Sequence, residues 1–321
     1  MRNGGGVINK ELARTLYRRV LKLVSVAKQP HTQRIVQTQW AEFVPSEVWI
    51  APGDELRHIV RRSFEAPYTP AAVTNAFNFL KEAEDSLFSI RVLAEWERLE
   101  RQDHWDLYNG MALMSAALHG ACVGCHSQMS FESCIKDYQV RIGSYVQNIA
   151  KSVQERIEVR SLEAGRVEDL SKFIKFVREA SALERREAKP EDFSLVALLQ
   201  NRCASEYVLN IIVTFVLRAL NIHSTLVGAD LSFRWVRVMP RNNASPIFAS
   251  WSYGAMRRRE VERLIRTADT HWYRSVPWDA SQRKSVVCAL LRRQLGCLPA
   301  SLDTSAKIQT SCKKQILFLL S

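Results

Sequence analysis

Long hydrophobic runs are missing from this 321-residue chain. The nearest approach, Val208 to Leu220, is broken by Asn210, Thr214 and Arg218 and falls short of the ~20 apolar residues needed to cross a bilayer. A soluble or peripheral protein is expected. Repeats and low-complexity tracts are absent too, beyond a short Gly4-Gly-Gly6 tip, so neither a solenoid nor a disordered linker protein fits. No Gly-rich phosphate-binding loop and no paired-histidine metalloprotease motif occurs. Acidic residues are scarce: 33 Asp and Glu against 45 Lys and Arg leave a net charge of +12, which favours an anionic partner such as RNA, an acidic protein surface or anionic lipid. The seven cysteines, at 122, 125, 134, 203, 288, 297 and 312, are odd in number and scattered, which argues against a disulfide framework and for reduced thiols of a matrix or cytosolic protein.

What is present is enough apolar residue (47%) for a packed core, and enough length for two domains. Within the first forty residues, Arg2, Lys10, Arg14, Arg18, Arg19, Lys22, Lys28 and Arg34 face a single acid, Glu11. That arginine-rich, acid-poor character is that of a mitochondrial import signal, here supplied by a helix expected to stay uncleaved. A basic binding face with no targeting role explains the same residues, and the two readings can coexist. The helix is read from Leu12, Leu16, Val20 and Val24, which recur every four residues with Tyr17 and Leu21 one position round, leaving Arg14, Arg18, Arg19 and Lys22 on the remaining surface.

Leu16-Tyr17-Arg18 on that helix, followed by Asp54-Glu-Leu-Arg-His-Ile-Val-Arg-Arg-Ser-Phe64 and by a third apolar-periodic stretch from Ala71 to Leu87, resembles the LYR-motif (complex I LYR) family over residues 8–95. The loop from Gln29 to Gly53 is longer than the family pattern. The resemblance implies an antiparallel three-helix bundle that binds the mitochondrial acyl carrier protein. Family members set the carrier's acidic surface against basic residues of the first two helices, and its 4'-phosphopantetheine-linked acyl chain enters the bundle. By that resemblance the carrier-binding residues are Leu16, Tyr17, Arg18, Arg19, Lys22, Arg57, Arg61, Arg62 and Phe64. Each methylene so buried contributes about 0.8 kcal/mol, while rim charges steer more than they hold. Solvated arginines on an ordinary bundle are the plain alternative.

From about residue 100 the pattern changes. Helices are expected over Asp106–Leu118, Tyr138–Val159, Ser161–Ala188 and Leu195–Leu220. Short β-runs follow at Ser224–Gly228, Phe233–Met239 and Pro246–Trp251, giving an α+β, mostly α, fold with a small antiparallel sheet. Asn109-Gly110-Met-Ala-Leu, Arg202-Cys-Ala-Ser-Glu206, Arg218-Ala-Leu-Asn-Ile222, Leu231-Ser-Phe233 and Ala249-Ser-Trp251 fall in the order of elements that resembles the SirB-type transglutaminase-like domain, over residues 100–270. A thiol centre of that kind needs a cysteine at the start of the central helix, a histidine base and an orienting acid or amide. Here the nucleophile slot falls at Glu206, the histidine slot at Ser232 and the acid slot at Ala249. Cys203 with His223 is no substitute, being roughly 30 Å apart at ~1.5 Å per helical residue. A catalytically empty scaffold is expected, and no enzyme.

Cys122-Val-Gly-Cys125-His126 fits the attachment pattern of a c-type haem, and adding Cys134 makes a zinc set of three sulfurs and one nitrogen. A structural Gly-bearing loop explains the same residues without metal, and haem attachment conflicts with a matrix location. Residues 271–321 are expected to be a basic C-terminal extension. Arg257, Arg258, Arg259, Arg263, Arg292 and Arg293 are RNA-contact candidates, with Trp272, Tyr273 and Trp278 interleaved. Amphipathic helices with solvated outer faces are the alternative, since Val261, Leu264 and Ile265, and Val286, Val287, Leu290 and Leu291, recur at helical spacing.

Together these readings predict a non-catalytic adaptor of the mitochondrial matrix with no cofactor of its own. It would bind acyl carrier protein and serve as an assembly factor or accessory subunit, with the mitochondrial ribosome, its proteins and its rRNA favoured as host. A respiratory-chain complex, or a haem or zinc protein, is the alternative.

Overall fold

The computed structural model describes residues 14–15, 18, 85, 88–102, 105–123, 130–228, 235–241, 244–268, 281–298 and 303–321. They are mostly helical, with a small four-stranded sheet and a two-stranded parallel pair, as the α+β reading expects. The chain divides into two compact units, Met1–Gln102 with Val123–Ser127, and Asp103–Cys122 with Gln128–Ser321.

In the first unit Arg14, Thr15 and Arg18 are helical and exposed, and residues 88–100 form a helix that buries Ile90, Leu93 and Trp96. On its outer face Arg98 pairs with Glu95 and Arg101 with Glu97. Leu16, Tyr17, Arg19, Lys22, Arg57, Arg61, Arg62 and Phe64 lie outside the described residues, as does most of the expected third helix.

The second unit opens with α1 (Leu107–Val123). Its sequence is apolar on every face, and Met111, Ala112, Leu113, Met114, Ala116, Ala117 and Leu118 are all buried, as a helix without a polar stripe must be. Next comes α2 (Phe131–Gln154), which starts seven residues before the expected Tyr138 because Ser130 caps it, its side chain accepting from the Ser133 N–H.

The expected helix from Ser161 to Ala188 is instead two, α3 (Val159–Glu163) and α4 (Val167–Ser181). Gly165 separates them at φ +70°, where a Cβ would sit 2.5 Å from Pro240 Cγ. Ala182, at φ 49°, then ends α4 in the left-handed region. A two-residue strand β1 (Glu184–Arg185) and a 3-10 turn (Pro190–Phe193) follow.

The expected Leu195–Leu220 helix is likewise divided into α5 (Leu195–Asn201) and the central helix α6 (Glu206–Ala219). Arg202 at φ 54° and strand β2 (Cys203–Ala204), parallel to β1, intervene. Ser205 caps α6 by accepting from the Val208 N–H.

The sheet is an antiparallel meander in the order β3 (Ser224–Val227), β4 (Trp235–Val238), β5 (Ile247–Ser250), β6 (Gly254–Arg257). The first three strands match the expected runs and β6 adds a fourth. Helix α6 packs on β3 and β4, and α4 on β5 and β6. Helix α7 (Arg258–Ala268) leaves β6 directly, and its Val261 and Ile265 join Val227, Trp235 and Phe248 in one apolar cluster. Two further helices, α8 (Arg283–Gly296) and α9 (Asp303–Leu320), pack on each other, and α8 also covers the 3-10 turn. The described part of 271–321 clusters with the second unit.

Candidate functional site

The start of the central helix is where a transglutaminase-like domain would carry its nucleophile. Glu206 occupies it, as the first residue of α6 after the Ser205 cap. A carboxylate is stabilised there by the helix dipole. It is also fully engaged: Ser250 Oγ donates to Oε1 at 2.6 Å, the Ser252 N–H at 3.0 Å, Ser252 Oγ donates to Oε2, and Arg185 pairs with Oε2 at 3.0 Å. One turn on, Asn210 accepts the Trp251 N–H at 2.6 Å. The carboxylate and amide of α6 thus clasp the β5–β6 turn.

Behind this clasp lies a second carboxylate. Asp192 is fully buried and accepts two hydrogen bonds from Arg186, at 2.8 and 2.7 Å, and one each from the Ala188 and Lys189 N–H groups, at 3.0 Å. Burial alone would raise its pKa; the Arg186 and backbone hydrogen bonds outweigh that and hold it below the usual carboxylate range. Cys203 Sγ sits 4.0 Å from the same carboxylate, and burial pushes its thiol pKa up. A buried thiol beside an anion is a poor thiolate.

Two histidines are described. His119 bonds Tyr138 Oη at 3.2 Å, His223 lies past the far end of α6, and neither is hydrogen-bonded to Cys203. Ala249, where that resemblance would place the acid, is buried in β5. Ser232 lies outside the described residues. The carboxylate and amide at this end of α6 hold a turn, and among the described residues no thiolate and base are brought together there.

Of the cysteine-loop candidates, Cys125 and His126 lie outside the described residues. Cys122 is exposed at the end of α1, its Sγ 4.0 Å from Glu191 Oε1, and desolvation of the sulfur with help from that carboxylate pushes its thiol up to about 11. Cys134, on the first turn of α2, is raised chiefly by burial. Among the described residues no group of three or more His, Cys, Asp or Glu side chains is placed to hold a metal ion.

The arginine candidates separate by role. Arg257 donates to the carbonyls of Gly165 and Ser245, both at 3.3 Å, and so ties the α3–α4 turn to the sheet. Arg293 lies over the ring of buried Tyr207, 5.1 Å from its centroid. Arg258 pairs with Glu262 at 2.8 Å. Arg259, Arg263 and Arg292 are exposed. Arg257, Arg258, Arg259 and Arg263 share the β6–α7 segment, whereas Arg292 and Arg293 stand on α8, which packs on other elements. Trp272, Tyr273 and Trp278 lie outside the described residues.

Asp192, Arg186 and the two clasp serines were not singled out from sequence. Their signal would have been the Ser-Trp-Ser turn facing a helix that opens on Glu. No protein-family model, curated protein or solved structure matches this chain. Within the described residues no helix is long and apolar enough to cross a membrane.

Proposed function

We propose that this protein is a non-catalytic adaptor of the mitochondrial matrix: its N-terminal segment binds acyl carrier protein, and its second unit serves as contact surface in a large assembly, the mitochondrial ribosome or its assembly intermediate. The observation that carries the reading is the Leu16-Tyr17-Arg18 triplet in a basic, acid-poor stretch whose two described arginines, Arg14 and Arg18, are helical, exposed and one turn apart, hence on one face. Two outward guanidinium groups at that spacing suit an acidic protein surface. The LYR resemblance adds that the carrier's 4'-phosphopantetheine acyl chain enters the bundle beside Tyr17. The absence of catalysis is supported by the Glu206 clasp and by the buried, anion-facing Cys203.

The test is co-purification. Full-length protein expressed in mitochondria is expected to carry along a carrier protein whose intact mass shows an acylated phosphopantetheine arm. A Tyr17→Ala, Arg18→Glu variant of unchanged thermal stability should lose it. Wild-type protein that purifies without carrier, or a variant that keeps it, overturns the reading.

A further inference from the structure

Helix α9 buries polar side chains and shows apolar ones. Its inner face, Ile308, Ser311, Cys312, Gln315 and Leu319, is buried. The polar members find partners there: the Cys312 thiol donates to Gln294 Oε1 of α8 at 3.3 Å, and Gln315 Nε2 donates to the Ser311 carbonyl and hydroxyl at 3.3 and 3.2 Å. At roughly 100° per residue, Lys313, Leu317 and Leu320 fall within a sector of about 60° on the opposite side. All three are exposed, Leu317 by 59% and Leu320 by 62%, and Ile316 on the flank of that sector is half-buried. The other exposed large apolar side chains of the described residues, Val140, Met239 and Tyr253, stand singly at separate places in the chain. Single exposed residues of that kind are ordinary; a pair on one helix face is not.

The charge around this pair narrows what covers it. Helices α8 and α9, which pack on each other, carry seven Lys or Arg against one acid, Asp303, and so hold half of the chain's net charge of +12. Two leucine side chains supply a small fraction of the about 800 Å² per partner that a stable protein interface buries, so a second copy or a protein partner gains little from them. RNA gains nothing from leucine, because phosphate contact and base stacking call on cations and flat rings. A bilayer surface needs no matched patch. Leucines enter the acyl boundary, while a lysine lays its stem along it and sets its ammonium against headgroup phosphate.

We infer that the last turns of α9 dock on an anionic phospholipid surface, with Leu317 and Leu320 inserted and Lys313 at the level of the headgroups. The attachment is peripheral, since no described helix is long and apolar enough to cross a membrane. It is also reversible, because two leucines and a few cations anchor less than a single acyl chain and a polybasic patch together. Arg293 takes no part, its guanidinium lying over the Tyr207 ring. This contact goes beyond the adaptor reading and holds whatever the N-terminal segment binds.

The experiment floats the full chain with vesicles of phosphatidylcholine alone, or with about 30% phosphatidylglycerol added, across a salt series. Wild type should float with the anionic vesicles and not with the neutral ones, and rising salt should release it. Leu317→Ser combined with Leu320→Ser should weaken binding roughly tenfold or more at an unchanged thermal midpoint, both positions being exposed. Leu317→Trp should tighten binding about threefold, because indole favours the membrane interface, and a misfolded protein would show no such gain. Lys313→Glu should weaken binding roughly tenfold. Val140→Ser, at an exposed apolar position of α2, is the control and should change nothing.

Wild type that floats with neither vesicle overturns the inference, as does equal flotation with neutral and anionic vesicles or a serine double variant that binds as well as wild type. Failure to float together with a wild-type self-association that the serine pair abolishes, read by analytical sedimentation, would assign the face to a second copy instead.

Discussion

Four hydrogen bonds converge on the fully buried Asp192 carboxylate, and its removal is expected to cost more than a typical surface change. Asp192→Ala leaves the Ala188 and Lys189 N–H groups and one side of Arg186 without their acceptor, a loss of about 2–4 kcal/mol by urea unfolding at pH 7. Because the native carboxyl is held below its ordinary value, its contribution is present above the unfolded pKa of ~3.9 and disappears as pH falls through the native one. The gap between wild type and Asp192→Ala should therefore narrow in strong acid; a gap constant from pH 7 to 2 would show that the charge is not the cause. The thiols give a second expectation at this scale. With Cys122 pushed up to about 11, its alkylation by iodoacetamide should be slow at pH 7.5 and rise about tenfold per pH unit. Glu191→Gln, which removes one of the two causes, should speed it at fixed pH, as read by peptide mass spectrometry.

Elements were legible wherever periodicity alone decides them, and misread where a single backbone conformation intervenes. The apolar α1, the α2 stripe and strands β3 to β5 follow from spacing. The division of α3 from α4 does not, because Arg166 and its neighbours continue a helical pattern while Gly165 turns to positive φ under Pro240. The α5–α6 break is harder still, since Arg202 adopts φ 54°, a conformation no pattern of arginine announces. At the site, Glu206 and Ala249 were readable as letters, but the clasp was not, because Ser250 and Ser252 meet Glu206 only after the sheet folds back. Gly165→Ala is expected to destabilise by about 2–4 kcal/mol, combining left-handed strain with the clash against Pro240. Ser205→Ala, which removes the α6 cap, should cost ~1 kcal/mol. Both are measured as shifts of the urea midpoint at unchanged m, and a Gly165→Ala protein as stable as wild type would mean that this turn is not held as described.

At the scale of the whole molecule the excess positive charge is spread over elements with different duties. Arg257 ties a turn, Arg293 covers a ring, and Arg259, Arg263 and Arg266 line one outer face. Charge reversal should therefore act by position: Arg257→Glu, which removes the ties to the Gly165 and Ser245 carbonyls, is expected to lower the urea midpoint, while Arg292→Glu at an exposed position of α8 should change stability by less than about 0.5 kcal/mol. Equal losses in the two variants would contradict that division of duties.

The clasp at Glu206 also bears on what this chain could become. Installing a cysteine at residue 206 would take the acceptor from two serine hydroxyls and a backbone amide at once, loosening the turn, while Arg185 would keep its contacts to Glu187 and Ser252. Ser250 and Ser252 would have to change together with it for the β5–β6 turn to keep its hydrogen bonds, so the position is tied to the architecture of the sheet.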